Sequence, residues 1–115
     1  MNLNRTKNLI HEGVNRDNPT ESLIQVLEST IELISIPDND FLWSSWSNEQ
    51  EAKQEILNLI SIIKNGALPD RVKIAVLFAP TGPLQEISLC SGWSEAFLKI
   101  ADKYDEVEAL LWRGC

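Results

Sequence analysis

The chain has 115 residues, of which 43% are hydrophobic and 23% charged, and its formal net charge is −7. This length and composition are typical of one globular domain with a sizeable core. The acidic balance excludes nucleic acid and anionic membranes as partners, because both require a concentrated basic surface. No apolar run approaches a membrane span of about 20 residues, and the start lacks the apolar core of a signal peptide. We therefore expect a cytoplasmic protein.

The 17 acidic residues are dispersed along the chain instead of forming one acidic tail. Two interpretations of this pattern stay open. The carboxylates can form a solvated surface that keeps the protein in solution, or part of them can form an acidic face for a basic partner protein.

Metal and thiol chemistry have little support in the composition. Cys90 and Cys115 are the only cysteines, and His11 is the only histidine. Cytoplasmic cysteines rarely form structural disulfides, and three ligands fall short of a structural zinc site. As a nucleophile Cys90 would need a neighbouring base, and only His11 is available. We predict no cofactor, no metal and no catalytic residue.

Residues 1–17 are polar and weakly periodic, which indicates an N-terminal arm or a short helix in front of a single domain over 18–115. The domain starts with a clear helix signal: Asn18 as N-cap, Pro19 at the first helical position and Glu21 completing a capping box. This helix is expected to end near residue 35, because Pro37 disfavours helical geometry in the residue before it.

Aromatic and serine residues over 41–46 predict a short strand. A second helix follows over 48–65, with Ser47 as its cap and Gln50 completing the capping box. Gly66 readily takes the left-handed conformation that ends a helix. We therefore expect a strand followed by an amphipathic helix in this part of the chain.

Residues 71–79 and 84–90 are predicted as two strands, joined by a Pro-Thr-Gly-Pro loop. Four residues are too few for a parallel crossover, so the strands would form an antiparallel hairpin. The alternation predicts Val76 opposite Ile87 on the buried face, with Glu86 in solvent. The loop is not expected to bind phosphate, because it joins strand to strand and its two prolines remove N–H donors.

A last helix is predicted from Ser94, as its cap, to about Trp112. The resulting order of elements predicts an α+β domain. Its small mixed three-stranded sheet would combine a βαβ unit with the hairpin and pack against three to four helices.

Tryptophans stand next to the predicted element boundaries. In a strand Trp43 and Trp46 point to opposite faces, so we expect Trp43 in the core and Trp46 at the surface or in a crevice. One interpretation is that these rings only close the ends of a small core. The other places Trp46, Phe78 and Trp93 in a binding site at the carboxyl ends of the strands.

Two functions follow from these observations. The first is a small, non-catalytic protein-binding or regulatory module, with the general character of an immunity protein. The alternative is a small-molecule-binding or catalytic domain that uses the crevice near Trp46, Phe78 and Trp93. No catalytic constellation is present in the sequence, which favours the protein-binding module.

Overall fold

The structure is a computed structural model, and it describes residues 3–41, 44, 46–79 and 82–113. Six α-helices make up this part of the chain: α1 (Asn4–Glu12), α2 (Pro19–Ile34), α3 (Glu49–Lys64), α4 (Arg71–Phe78), α5 (Pro83–Ser91) and α6 (Ser94–Glu108). A π-helical turn, Ala109–Arg113, continues α6. The predicted α+β fold is wrong, because the described residues contain no strand and so no three-stranded sheet, βαβ unit or hairpin.

Helix α2 forms the centre of the fold and confirms the predicted helix start. The Asn18 side chain accepts a hydrogen bond from the Glu21 backbone N–H at 3.2 Å, and Pro19 is the first helical residue. The helix packs against α1, α3 and α6. Leu23, Leu27 and Ile34 are among its fully buried side chains.

Helix α3 confirms the predicted helix, with a different cap. Asn48, not Ser47, is the N-cap residue, and its side chain accepts a hydrogen bond from the Glu51 N–H at 2.9 Å. The helix ends at Lys64, shortly before Gly66 with a φ of 92°. The buried residues are those that the helical spacing predicts: Ala52, Ile56, Leu59, Ile60 and Ile63.

Helix α4 replaces the strand predicted over 71–79. Its start is set by Asp70, whose carboxylate accepts a hydrogen bond from the Val72 N–H at 3.0 Å. Ile74, Leu77 and Phe78 are buried, at the i, i+3, i+4 spacing of a helix face. β-branched residues over 71–76 favour a strand, but the cap and this contact face override that preference.

Helix α5 replaces the second predicted strand. Pro83 is its first residue, and Gly92 ends it in the left-handed conformation with a φ of 87°. The predicted cross-strand pair is therefore wrong: Val76 is 50% exposed on α4, whereas Ile87 is fully buried on α5. Glu86, predicted in solvent, is half-buried.

The link between α4 and α5 is tight, and it depends on Gly82. The Gly82 N–H donates to the Ala79 carbonyl at 2.9 Å. A Cβ atom on Gly82 would collide with the carbonyl oxygen of Val76. The predicted hairpin turn is wrong, because this segment joins two helices; Pro80 and Thr81 lie outside the described residues.

The N-terminal segment contributes to the same core. Helix α1 packs against α2 and α6, and its Leu9 is buried in the core cluster. The N-cap residue of α1, Leu3, makes no side-chain cap bond. Instead, the Glu32 carboxylate of α2 accepts hydrogen bonds from the N–H groups of Arg5 (3.0 Å) and Thr6 (2.8 Å) and from the Thr6 hydroxyl (2.8 Å). An acidic side chain thus satisfies two of the free backbone donors of the helix start.

The predicted last helix is present as α6, with a different start. Ser94 is its first helical residue, and Trp93 occupies the N-cap position without a side-chain cap bond. Phe97, Ile100, Tyr104 and Val107 form its buried face, as the spacing predicts.

Candidate functional site

An open groove of about 330 Å³ lies where α4, α5 and α6 meet. We call it the aromatic groove. It is lined by Ala75, Phe78 and Ala79 of α4, by Gln85 of α5, and by Phe97, Leu98, Ala101, Asp102, Tyr104, Asp105 and Glu108 of α6. Most of the lining comes from α4 and α6, two segments that the sequence patterns did not place side by side.

Aromatic rings form the floor of this groove. Phe78 and Tyr104 stack with their ring centroids 4.5 Å apart and their planes 9° from parallel. Phe97 is buried beside them on α6. Aromatic faces carry partial negative charge, so such a floor attracts apolar groups and cations alike.

Tyr104 connects the floor to the acidic side of the groove. Burial, and then the neighbouring Glu108 carboxylate, raise the pKa of Tyr104 above its ordinary value of 10.0. The hydroxyl is therefore protonated at neutral pH, and it donates to Glu108 Oε2 at 3.1 Å. Arg71, the first residue of α4, approaches the same oxygen with its Nη1 atom at 3.5 Å. A phenol and a guanidinium thus stabilise one largely buried carboxylate.

The rim is acidic on the α6 side and apolar next to it. Asp102 and Asp105 are exposed and one helical turn apart, and Asp105 is one turn before Glu108. Leu98 is 56% exposed on the same helix. Within the described part of the chain no ion pair reaches Asp102. The arrangement offers negative charge over an aromatic floor, which suits a ligand that is both cationic and apolar.

The structure does not bring the three predicted site residues together in this groove. Only Phe78 lines it. Trp93 is buried, and its Nε1–H donates to the Asn39 side-chain oxygen at 2.8 Å. The binding role predicted for the three side chains stays a prediction.

The predicted exposure of Trp46 is wrong. Its side chain is 2% exposed, and its Nε1–H has no hydrogen-bond acceptor among the described residues. Trp43, predicted as the core residue of the pair, lies outside the described residues. The expected contrast between two rings on opposite faces rested on a strand over 41–46, and no strand occurs in the described part of that segment.

Most residues of the aromatic groove were missed from the sequence. The spacing of Asp102, Asp105 and Glu108, three residues apart on one helix, was an available signal for a single acidic stripe. This stripe alone indicates no site, because the sequence predicts a strand, and not the helix α4, for the segment that forms the opposite wall. A groove between two helices can be recognised only when both walls are known.

Other chemical features of the described residues are few. No group of three or more His, Cys, Asp or Glu side chains in this part of the chain could hold a metal ion. Cys90 is a free, exposed thiol, and Cys115 lies outside the described residues. None of the described helices has the length and apolar character needed to cross a bilayer.

Comparisons with protein-family models, with curated proteins and with solved structures find no match to this chain.

Proposed function

We propose that this chain is a non-catalytic module that binds a partner protein through the aromatic groove. The groove receives an Arg or Lys side chain that projects from an apolar segment of the partner. The observation that supports this proposal is the combination of stacked Phe78 and Tyr104 on the floor with Asp102 and Asp105 on the rim.

The chemistry of a long basic side chain matches both parts of the groove. Its methylene stem packs against Leu98 and the aromatic floor, while its charged end stays near the carboxylates of the rim. The Arg71–Glu108 pair shows the same combination inside the molecule, beside the same stacked rings. The net charge of −7 adds long-range attraction for a basic partner.

A protein partner is preferred over a small molecule for two reasons. At about 330 Å³ the groove is open and at the small end of ligand pockets, so a projecting side chain fits it better than an enclosed ligand. The small-molecule alternative also relied on a crevice shared by Trp46, Phe78 and Trp93, and only Phe78 lines this groove.

If the partner is a basic toxin or enzyme, the proposed role of the chain is regulatory and immunity-like. The cytoplasm is the compartment we propose, since the exposed free thiol of Cys90 is compatible with a reducing environment. The regulatory role and the cytoplasmic location both depend on the protein-binding proposal. The identity of the captured partner tests them.

Affinity capture from the native cell, followed by mass spectrometry, tests the proposal. The full chain serves as bait, with Asp102→Lys and Leu98→Asp as variants of the groove rim. Both positions are exposed, so the fold is expected to survive. We expect recovery of the partner to fall by about tenfold or more in each variant, as for other interface residues near the centre of a contact.

Glu51→Lys is the matched control, because it makes the same change of charge on an exposed position of α3. It should leave recovery unchanged, and circular dichroism should show the same helix content for all variants. A partner that is captured equally by the wild type and by both rim variants would contradict the proposal. A captured small molecule with no protein would favour the alternative function.

A further inference from the structure

A second groove, of about 420 Å³, lies on another face of α4. It is lined by Glu55, Asn58 and Leu59 of α3 and by Lys73 and Val76 of α4, and we call it the α3–α4 groove. Helix α3 packs mainly on α2, whereas α4 packs on α5 and α6. The two helices thus pack mainly on different neighbours, and an open depression lies between them.

Apolar side chains are unusually exposed around this groove. Val72 and Val76 of α4 are four residues apart, on one side of the helix, and each is at least half exposed. On the α3 side, Ile62 lies one turn after Leu59 and is 40% exposed. Single exposed apolar residues are ordinary, but several that border one groove indicate a surface that another molecule covers.

The charges of the α3–α4 groove indicate which molecule this is. Glu55 stands on one wall and Lys73 on the other. Both are exposed, and neither forms an ion pair within the described residues. The lining thus carries one acid and one base in a chain whose net charge is −7. Such a surface is complementary to itself.

We propose that a second copy of this chain covers the α3–α4 groove, with a two-fold axis that runs parallel to the groove. Rotation about that axis places α3 of each copy on α4 of the other. In a two-fold interface, a contact between residues i and j occurs twice. Glu55 of each copy then pairs with Lys73 of the other, and Val72 and Val76 are buried between them.

A charge-swap experiment tests this arrangement with the full chain. Sedimentation velocity at physiological salt measures the dimer dissociation constant of the wild type, of Glu55→Lys and of Lys73→Glu. In each single variant both inter-copy pairs become like-charged, so we expect dimerisation to weaken about tenfold or more. Circular dichroism checks that the variants, both at exposed positions, remain folded.

Mixing the two single variants gives the decisive result. In a mixed dimer the two substituted side chains, of opposite charge, meet each other in one pair. The unsubstituted Lys73 of the first chain meets the unsubstituted Glu55 of the second in the other pair. We therefore expect the 1:1 mixture to form a heterodimer within about threefold of wild-type affinity, since both opposite-charge pairs are restored. The double variant should form a homodimer for the same reason. Asp102→Lys, in the aromatic groove, should leave the dimer unchanged.

Two outcomes would overturn the proposal. A wild type that stays monomeric up to about millimolar concentration, the weak end of specific association, would mean that another molecule covers the face. Single variants that dimerise like the wild type, or a mixture that stays monomeric, would place the contact elsewhere. Neither outcome affects the aromatic groove, because partner capture is measured with different variants.

Discussion

Helices α2 and α4 differ in how their apolar residues are used. The 16 residues of α2 carry an apolar face that is buried against three neighbouring helices. The eight residues of α4 are apolar on nearly every side, and only Ile74, Leu77 and Phe78 are buried. Only one face of the short helix α4 packs into the core. The remaining apolar residues of α4 therefore lie at the surface, where a partner can use them.

Both grooves border α4. Phe78 and Ala75 line the aromatic groove, while Val76 and Lys73 line the α3–α4 groove. Helix α2 lines neither of them. In this molecule the long, well-packed helix provides the scaffold, and the short helix provides the surfaces that we propose for binding.

The sharpest test of this comparison is a pair of truncations within α4. Ile74→Ala should reduce the free energy of unfolding by about 2–5 kcal/mol, because it removes a fully buried side chain. Val76→Ala should change it by no more than about 0.5 kcal/mol, since an exposed position has little packing to lose. Urea denaturation, at concentrations low enough for the monomer, measures both values.

The same pair distinguishes the helix from the strand that the alternation suggested. In a strand, residues 74 and 76 share one face, and both truncations would cost the same large amount. Equal losses would therefore contradict the helical assignment of 71–78, and with it the wall that α4 contributes to each groove. Leu27→Ala in α2 is the control for a fully buried position, with a loss in the range expected for Ile74→Ala.

A smaller effect is expected at the link that positions α4 on α5. Gly82→Ala should destabilise the fold by about 1–3 kcal/mol, because the added methyl group collides with a backbone carbonyl that cannot move freely. Thermal unfolding followed by circular dichroism measures the loss. A variant as stable as the wild type would show that the link has room for a side chain and that the packing of α4 on α5 is looser than described.

The positions of α2, α3 and α6 were predictable from the sequence, but the fold class was wrong. Strands were predicted over 71–79 and 84–90, where the chain is helical, and over 41–46, whose described residues form no strand. Asn18 and Pro19 predicted the start of α2, and the apolar spacing predicted the buried face of α3. Over 71–90 two periods competed. Val72, Ile74 and Val76 alternate like a strand, whereas Ile74, Leu77 and Phe78 have the spacing of a helix face. In so short a segment periodicity alone could not separate the two.

Capping signals could have decided between the two periods. Asp70 stands just before α4, Pro83 at the first position of α5 and Gly92 just after α5. They are signals of the same kind as those that located α2 and α3. The apolar alternation over the same residues predicts strands and conflicts with these capping signals. The candidate site was lost with the helix, since the aromatic groove exists only between two packed helices, and no local pattern reports their contact.

The smallest predicted effect tests whether a cap alone starts α4. Asp70→Ala should reduce the free energy of unfolding by about 1 kcal/mol, because the Val72 N–H loses its acceptor at 3.0 Å. Asn18→Ala, at the start of α2, should cost a similar amount for the same reason. Asp70→Asn is the matched control, since its amide oxygen accepts the same hydrogen bond and stability should change little. A loss in Asp70→Asn as large as in Asp70→Ala would assign the effect to the negative charge near the helix dipole instead. No loss in either variant would mean that tertiary packing, not the cap, stabilises the start of α4. Helices α2 and α4 would then differ in what stabilises their N-termini, as well as in how much of their apolar surface is buried.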